Sequence, residues 1–357
     1  MARIELVDLA HTYAHSEGAT TWAVKTLNMS WSDGGAYALL GPSGCGKTTL
    51  LNIISGLVRP TQGRILFDGR DVTTLEPQER NIAQVFQFPV IYDTMTVYDN
   101  LAFPLRNRNW NAPDVRRRVH EIAEILELQS DLPRRARGLS ADAKQKISLG
   151  RGLVRPDVAA VLFDEPLTVI DPHVKWLLRR KLKQIHQQLK LSLIYVTHDQ
   201  TEALTFADQV VVMTEGEIVQ IGTPQALFET PAHRFVGHFI GTPGMNFIDC
   251  RWRDGALIGD TTIATSSTQA PPQDASLLLG IRPEYVDVFE TPGSNRVPAA
   301  VTAIHDQGTQ LMIQLRIGQQ IAWSKVRDTR RSLRIGDTFA YLPPDKCAVY
   351  ANERRLR

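Results

Sequence analysis

The sequence lacks any long run of apolar residues. A helix that crosses a bilayer needs roughly 18 or more of them in succession, whereas the aliphatic runs here, such as residues 210–213, have the length of a strand. The chain begins MARIELVDLA, in which polar and apolar residues alternate, unlike the unbroken apolar segment of a secretory signal. We therefore expect a chain that does not span a membrane and stays in the cytoplasm.

Cysteine and net charge are also scarce. The three cysteines, Cys45, Cys250 and Cys347, are scattered and fit neither a metal-binding spacing nor a disulfide framework. The formal net charge of +2 is too small to attract nucleic acid or an anionic lipid surface over a distance. Reduced thiols are expected, redox chemistry is not, and partners must be recognised by specific sites.

The chain is, however, long enough for two domains, at 357 residues. Up to about residue 235, short aliphatic runs alternate with longer helical patterns, which is typical of a mostly parallel sheet flanked by helices. Beyond residue 241, short strand-like runs follow one another without a convincing long helix. These patterns predict an α/β domain over residues 1–240 and a small all-β domain over residues 241–357.

A glycine-rich motif lies between a predicted strand and a predicted helix. Residues 41–48 read GPSGCGKT and satisfy the pattern G-x-x-x-x-G-K-[ST]. Such a loop surrounds phosphate oxygens with backbone N–H groups, while Lys47 adds a positive charge and Thr48 offers a hydroxyl to magnesium. The helix that begins there adds the positive end of its dipole. The motif predicts a nucleoside triphosphate site formed by Gly41, Pro42, Ser43, Gly44, Cys45, Gly46, Lys47, Thr48 and Thr49.

Two further strands end in side chains that carry chemistry. The run 159–163 is followed by Asp164 and Glu165, and the run 191–196 leads to His198. Taken alone, these residues most often mark a solvated turn or a surface histidine. Ligands of open α/β sheets, however, bind at the carboxyl ends of strands. Together with the glycine loop, this favours Asp164 as a magnesium ligand, and Glu165, His198 and Lys47 as the residues of phosphate-bond hydrolysis.

These motifs, with Gln87, occur in an order and spacing that resembles the ATPases of ABC transporters, over residues 3–235. Residues 280–284, GIRPE, resemble the regulatory, oligonucleotide-binding-fold-like domain that follows the ATPase in carbohydrate importers of the maltose type. The resemblance implies a P-loop NTPase fold of the ABC class followed by that all-β domain. It also implies ATP and Mg²⁺ as ligands, and ATP hydrolysis coupled to transport.

The same resemblance implies several further roles. Tyr13 would stack on adenine, although an aromatic residue here could equally belong to the core. Gln87 would join Thr48 and Asp164 around magnesium. Residues 88–105 would face the coupling helix of a membrane subunit, and residues 168–171 would lie between two ATPase subunits, although Asp171 could equally be only a helix cap.

One motif departs from the family pattern. The family signature LSGGQ corresponds here to residues 139–145, LSADAKQ, which keep Ser140 as the N-cap of a helix but carry Asp142 in place of a glycine. In the family, the signature contacts the γ-phosphate of the ATP that the partner subunit binds. Unless it faces water, the Asp142 carboxylate would compete with that phosphate for the positive N-terminus of the signature helix. We expect Lys144 and solvent to reduce this repulsion. The departure predicts a heterodimer with a second, different ATPase subunit.

Within the family, such a pair looks most like the importers of glycerol or related polyols. The resemblance implies permease partners, an indirect periplasmic solute-binding protein, and a place on the cytoplasmic face of the bacterial inner membrane. Two alternatives stay open: an ABC-type ATPase that acts on nucleic acid or ribosomes, and an ATP-binding scaffold without hydrolysis. The tail has basic pairs at 330–331 and 354–355 but no interleaved aromatic residues, so nucleic acid is not expected. A switch GTPase is disfavoured because the Asn-Lys-x-Asp motif is absent.

Overall fold

The computed structural model describes residues 2–13, 21–168, 170–265, 267, 269–328 and 333–356, without the side chains of 172–174. Val169 and the basic pair 330–331 therefore lie outside the described residues. Packing contacts divide the chain into two compact units, Met1–Pro224 and Gln225–Arg357. The boundary that the sequence predicts, at residue 240, stays a prediction. Within the described residues, no helix is both long and apolar enough to cross a membrane.

The first unit alternates strands and helices. Its strands are β1 (Ile4–His11), β2 (Val24–Trp31), β3 (Ala36–Leu40), β4 (Gln62–Phe67), β5 (Arg70–Asp71), β6 (Ala83–Val85), β7 (Val161–Asp164), β8 (Leu193–Thr197), β9 (Gln209–Thr214) and β10 (Glu217–Gly222). Its helices are α1 (Lys47–Ser55), α2 (Val97–Arg106), α3 (Ala112–Ile125), α4 (Ala141–Leu153), α5 (Pro172–Leu189) and α6 (Gln200–Phe206). A short 3-10 helix, Gln129–Asp131, follows α3.

A six-stranded sheet in the order β10-β9-β3-β8-β7-β6 forms the centre of this unit. Its strands run parallel except for β10, which pairs antiparallel with β9. β3 and β8 are buried along their whole length, as expected for strands covered on both faces. The predicted α/β class with a mostly parallel sheet is confirmed.

A second, antiparallel sheet in the order β2-β1-β4-β5 was not predicted. Its inward side chains, such as Leu9, Trp31 and Ile65, share one hydrophobic cluster with Leu39 of β3 and with Leu50 of α1. The helix that carries the glycine loop is therefore packed between two sheets.

The second unit is β-rich, as the sequence predicts. Its short helices are α7 (Pro224–Glu229), which begins at the last residue of the first unit, and α8 (Arg234–Phe239). It also has 3-10 turns at Pro283–Tyr285 and Pro344–Lys346. Its strands form sheets in the orders β11-β15-β21-β22, β12-β13-β14 and β16-β20-β17-β18-β19. They are β11 (Asn246–Asp249), β12 (Arg251–Trp252), β13 (Ala256–Ile258), β14 (Thr261–Ile263), β15 (Leu277–Ile281), β16 (Asp287–Phe289), β17 (Arg296–Asp306), β18 (Leu311–Ile317), β19 (Gln320–Val326), β20 (Gly336–Tyr341), β21 (Ala348–Ala351) and β22 (Arg354–Arg355).

Arg282 closes the beginning of this second unit. The side chain is only 1% exposed. It donates hydrogen bonds to the carbonyl oxygens of Phe228 and Gly237, both at 2.9 Å, and to that of Ile240. These carbonyls belong to α7 and α8 or follow them, where a helix end leaves acceptors without intrahelical partners. The segment GIRPE therefore supplies the cation that holds the two short helices.

Candidate functional site

The site lies where three neighbouring parallel strands end. Leu40, the last residue of β3, is opposite Thr197 of β8, and Val196 of β8 is opposite Asp164 of β7. The glycine loop, Glu165 and His198 follow these strand ends directly. The sheet order thus brings together three segments that are far apart in the sequence.

Two glycines of the loop lie where a side chain would not fit. A Cβ atom on Gly41 would lie 2.2 Å from the carbonyl oxygen of Met213, and one on Gly46 would lie 2.3 Å from that of Ala23. Gly46 is also the N-cap of α1 with a φ of 99°, which favours glycine. The loop is therefore pressed onto its neighbours and enters the first turn of a helix, where free N–H groups favour an anion.

Lys47 and Cys45 are the buried side chains of the loop. Lys47 is 4% exposed, and its ammonium donates to the carbonyl oxygens of Gly41 and Pro42, at 2.9 Å each. These bonds hold the positive charge within the loop. Cys45 Sγ lies 3.8 Å from Lys47 Nζ, and burial raises the pKa of the Cys45 thiol despite the nearby positive charge.

Thr48 and Asp164 join the loop to β7. The Thr48 hydroxyl donates to Asp164 Oδ1 at 3.1 Å. Burial raises the pKa of Asp164; the Thr48 hydrogen bond opposes this rise, and the neighbouring charge of Glu165 adds to it. A hydroxyl and a carboxylate side by side are hard oxygen donors of the type that Mg²⁺ prefers. The pair fits a magnesium ion, which would also relieve the carboxylate of its unfavourable surroundings.

Glu165 and His198 form a second pair. His198 Nδ1 lies 3.0 Å from Glu165 Oε2, and the two side chains are 48% and 18% exposed. Thr168 Oγ1 donates to the same oxygen at 3.3 Å, and the Glu165 backbone N–H donates to the Val196 carbonyl at 3.0 Å. Glu165 adopts a φ of 46°, which is unusual for a residue other than glycine and is often associated with functional sites. Two side chains thus hold the same oxygen of this carboxylate.

The other predicted site residues are less closely connected. Tyr13 is 64% exposed and so is not a core residue; its hydroxyl donates to Thr49 Oγ1 at 3.3 Å. Gln87 is half-buried and follows β6, the strand next to β7. Ser140 is the N-cap of α4, with its hydroxyl accepting the Ala143 N–H at 3.3 Å. Among the described residues, the hydrogen bond of the Ser140 side chain is made to its own helix and not to the glycine loop.

Asp142 adopts an arrangement that the sequence analysis did not foresee. Its carboxylate is 34% exposed and lies 3.6 Å from Lys146, one turn along the same helix. Lys144, which we expected to offset Asp142, instead forms a 2.9 Å ion pair with Asp93. That expectation was wrong because residues four apart share a helix face and residues two apart do not.

The segment 88–105 exposes an apolar surface. Phe88, Val90 and Tyr92 are 67%, 53% and 41% exposed. The guanidinium of Arg151, on α4, lies 4.6 Å from the centre of the Tyr92 ring. A cavity of about 540 Å³ adjoins this segment; it is lined by Phe103, Pro104, Asn107, Arg108, Arg151 and Arg155. Exposed aromatic and aliphatic residues beside a cavity are typical of a docking surface.

Sequence reasoning missed Thr168, which is bonded to Glu165, and Glu202, which is bonded to both neighbours of His198. Thr168 was noted only as part of a segment, and its bond to Glu165 had no sequence signal. Glu202, in the first turn of α6, accepts hydrogen bonds from Tyr195 and Thr197. Tyr195 and Thr197 are two positions apart on a strand and therefore face the same side. That spacing was a signal for a shared polar partner.

Three family models match the chain. The model described as ABC transporter matches residues 24–168, the MalK OB fold domain matches residues 241–286, and the TOBE domain matches residues 279–349. Together they span parts of both units.

Curated relatives match over the whole length. The chain is 37% identical over 361 residues to the sn-glycerol-3-phosphate import ATP-binding protein UgpC of Yersinia pestis bv. Antiqua, covering 100% of this chain and 99% of that protein. It is 36% identical to the oligosaccharides import ATP-binding protein MsmX of Bacillus subtilis, covering 94% of each.

Solved structures match a little under two thirds of the chain. The ATP-binding cassette MJ0796, a dimer bound to ADP and Pi, superposes with a TM-score of 0.55 at 25% identity and covers 62% of this chain and 98% of that one. The cbiO1 protein of Clostridium perfringens superposes with a TM-score of 0.58 at 27% identity and covers 64% and 90%.

Proposed function

The chain belongs to the ABC transporter family, as an ATPase subunit of the importer type with an OB-fold and TOBE-containing second unit, and on that premise we propose how its residues hydrolyse ATP and what they energise. The observation that carries the proposal is that the Thr48–Asp164 and Glu165–His198 pairs lie at one edge of one sheet. A phosphate loop, a pair of oxygen ligands and a carboxylate beside a histidine are the parts that phosphoryl transfer to water requires.

The glycine loop and Lys47 bind the phosphates of ATP. Tyr13 would support the adenine, and Thr48, Asp164 and Gln87 would hold Mg²⁺. The ion would neutralise charge that develops on the phosphate oxygens. Glu165 orients the attacking water and accepts its proton. His198, whose Nδ1 lies 3.0 Å from Glu165 Oε2, keeps that carboxylate in place at the γ-phosphate.

The assignment of Glu165 is tested by Glu165→Gln in the assembled transporter. We expect turnover to fall by a factor of about 10² or more while ATP still binds, because removal of a general base commonly costs 10² to 10⁴. Glu217→Gln is the matched control, since Glu217 is a surface carboxylate paired with Lys25 at 2.8 Å. Unchanged turnover in Glu165→Gln would instead favour the scaffold without hydrolysis.

We also propose that the chain lies peripherally on the cytoplasmic face of the bacterial inner membrane, with residues 88–105 against the permease subunits. The exposed Phe88, Val90 and Tyr92 support this. Purification of the tagged chain from membranes should recover two membrane proteins, and a solute-binding protein only when the periplasm is retained. Recovery of RNA or ribosomes would contradict the proposal.

The solute that we propose is a small hydroxylated compound of the carbohydrate or polyol class, glycerol and its phosphate included. Support comes from the relatives, which are named for import of sn-glycerol 3-phosphate and of oligosaccharides. Uptake of labelled glycerol, sn-glycerol 3-phosphate and maltose should be compared in cells with and without the gene. Equal uptake of all three in both strains would exclude them.

The second ATPase subunit is a further proposal, and its support is Asp142 in the signature. Each ATP site of the dimer would combine the phosphate loop of one subunit with the signature of the other. In a homodimer both of these composite sites would contain Asp142, whereas in a heterodimer the hydrolysis residues of this chain would face the signature of the partner. Intact mass spectrometry of the purified complex decides between the two. A complex with two copies of this chain and no other ATPase would refute the heterodimer.

A further inference from the structure

A buried carboxylate that the proposed hydrolysis does not use lies directly behind His198. Glu202 is 3% exposed. Its Oε2 accepts hydrogen bonds from the Thr197 hydroxyl at 2.7 Å and from the Tyr195 hydroxyl at 3.1 Å. A buried carboxylate is costly unless it is paired in this way, so this part of the chain is arranged around it.

Both residues that flank His198 are bonded to Glu202. Thr197, which precedes the histidine, donates to the Glu202 carboxylate. Asp199, which follows it, accepts the Glu202 N–H at 3.1 Å and donates its own N–H to Thr197 Oγ1 at 3.0 Å. The three residues form a closed ring of hydrogen bonds, and the backbone of His198 lies within that ring.

The other oxygen of the carboxylate faces a third element. Glu202 Oε1 lies 3.9 Å from Lys175 Nζ, in the first turn of α5. The Lys175 N–H in turn donates to the carbonyl oxygen of Asp171 at 2.9 Å. The carboxylate therefore joins the end of β8, the start of α6 and the start of α5.

We propose that Glu202 is a positioning residue for hydrolysis: through Thr197 and Asp199 it fixes the backbone of His198 so that the imidazole remains at Glu165. This rests on the proposed function of Glu165 and His198. Glu202 is buried and would act on the reaction only through these residues. Because a displacement of about 1 Å can cost a factor of about 10² in rate, loss of the ring should reduce turnover without weakening ATP binding.

Two substitutions separate positioning from simple core stability. Thr197→Val and Tyr195→Phe each remove one hydroxyl from the same Glu202 oxygen, and both should lower the melting temperature. Only Thr197 adjoins His198, so we expect Thr197→Val to lower kcat by a factor of about 10 to 100. The KM of Thr197→Val for ATP should stay within about twofold of the wild-type value. In Tyr195→Phe, both kcat and KM should stay within about twofold of the wild-type values. Thr197→Ser, which restores the hydroxyl, should recover kcat.

The position of the imidazole is read out separately from activity. Heteronuclear NMR of the full-length chain labelled on histidine, with the His198 signal identified from His198→Gln, should show a shifted His198 ring resonance in Thr197→Val and an unshifted one in Tyr195→Phe. Should Thr197→Val fail to fold, Glu202→Gln keeps the side-chain size but weakens both hydroxyl bonds. We expect it to lower kcat by about fivefold and to move the same resonance.

The outcomes are distinct. The inference is overturned if Thr197→Val and Tyr195→Phe lose kcat equally and in proportion to their loss of melting temperature. It is also overturned if the His198 resonance is unchanged in Thr197→Val. In either case Glu202 is only a core residue. If wild-type protein binds ATP and the assembled transporter does not hydrolyse it, the proposed function fails, and the NMR comparison still decides whether Glu202 positions His198.

Discussion

Replacing Asp142 by glycine should strengthen the ATP-dependent association of this chain with itself. At an effective dielectric of about 20, a phosphate charge about 4 Å from the Asp142 carboxylate is repelled by about 4 kcal/mol. If Lys146, 3.6 Å from that carboxylate, lies on the far side of it from the phosphate, its attraction for the phosphate offsets about 2 kcal/mol of this repulsion. The net penalty is about 2 kcal/mol at each of the two sites of the dimer that contain Asp142, so that about 4 kcal/mol in all corresponds to about a thousandfold weaker dimer. Because a third of the side chain is exposed, screening makes this an upper value.

Sedimentation of Glu165→Gln protein with ATP measures this association without interference from hydrolysis. Asp142→Gly and Asp142→Asn should both strengthen it, whereas Lys146→Ala should weaken it further, because the compensating charge is lost. Asp114→Asn is the matched control: Asp114 is a first-turn acid of α3 paired with Arg117 at 3.0 Å. An equal effect of Asp142→Asn and Asp114→Asn, or an unaffected dimer in Lys146→Ala, would refute the reasoning.

Three further changes test other parts of the molecule. Asp164→Asn should raise the melting temperature at neutral pH and abolish turnover. Because burial raises the pKa of the Asp164 carboxyl, its ionised form destabilises the native state. This destabilisation lessens as the pH falls through the raised pKa. No rise in calorimetry would contradict this. Cys45, buried with a raised thiol pKa, should react slowly with iodoacetamide at pH 8 by mass spectrometry, and rapid labelling would contradict its burial. Arg282→Leu should destabilise the second unit by about 3 kcal/mol or more in urea, because several buried carbonyls lose their donor; a change below about 1 kcal/mol would argue against that role.

The site could be predicted from the sequence because its parts follow strand ends. Once residues 36–40, 159–163 and 191–196 are interpreted as parallel strands, their carboxyl ends must lie at one edge of the sheet, and Lys47, Asp164 and His198 follow from that alone. To predict the contact between Glu165 and His198, one must also know that β7 and β8 are neighbours in the sheet. No local sequence pattern gives this strand order.

Other features depend on choices that the sequence leaves open. The antiparallel sheet of β1, β2, β4 and β5 was missed because β1 pairs with β2 and with β4 across long connections that leave no local signal. The tight hairpin from β4 to β5, with Asp68 and Gly69 in the turn, did offer a signal and was overlooked. The partner of Asp142 was misjudged because two lysines lie nearby, and only the rule of helix spacing distinguishes Lys144 from Lys146. Tyr13 could belong to a core or to a ligand site, and its exposure decided against the core.

The position of β3 has a consequence for how the protein is made. Its two neighbours, β8 and β9, are encoded more than 150 residues later. While the ribosome is still synthesising the middle of the chain, the apolar strand AYALL has both of its edges unpaired, a condition that favours association with other exposed strands. Nascent chains that stop before residue 193 should therefore depend on chaperones. The chain should bind nucleotide only after β8 and β9 have left the ribosome and paired with β3.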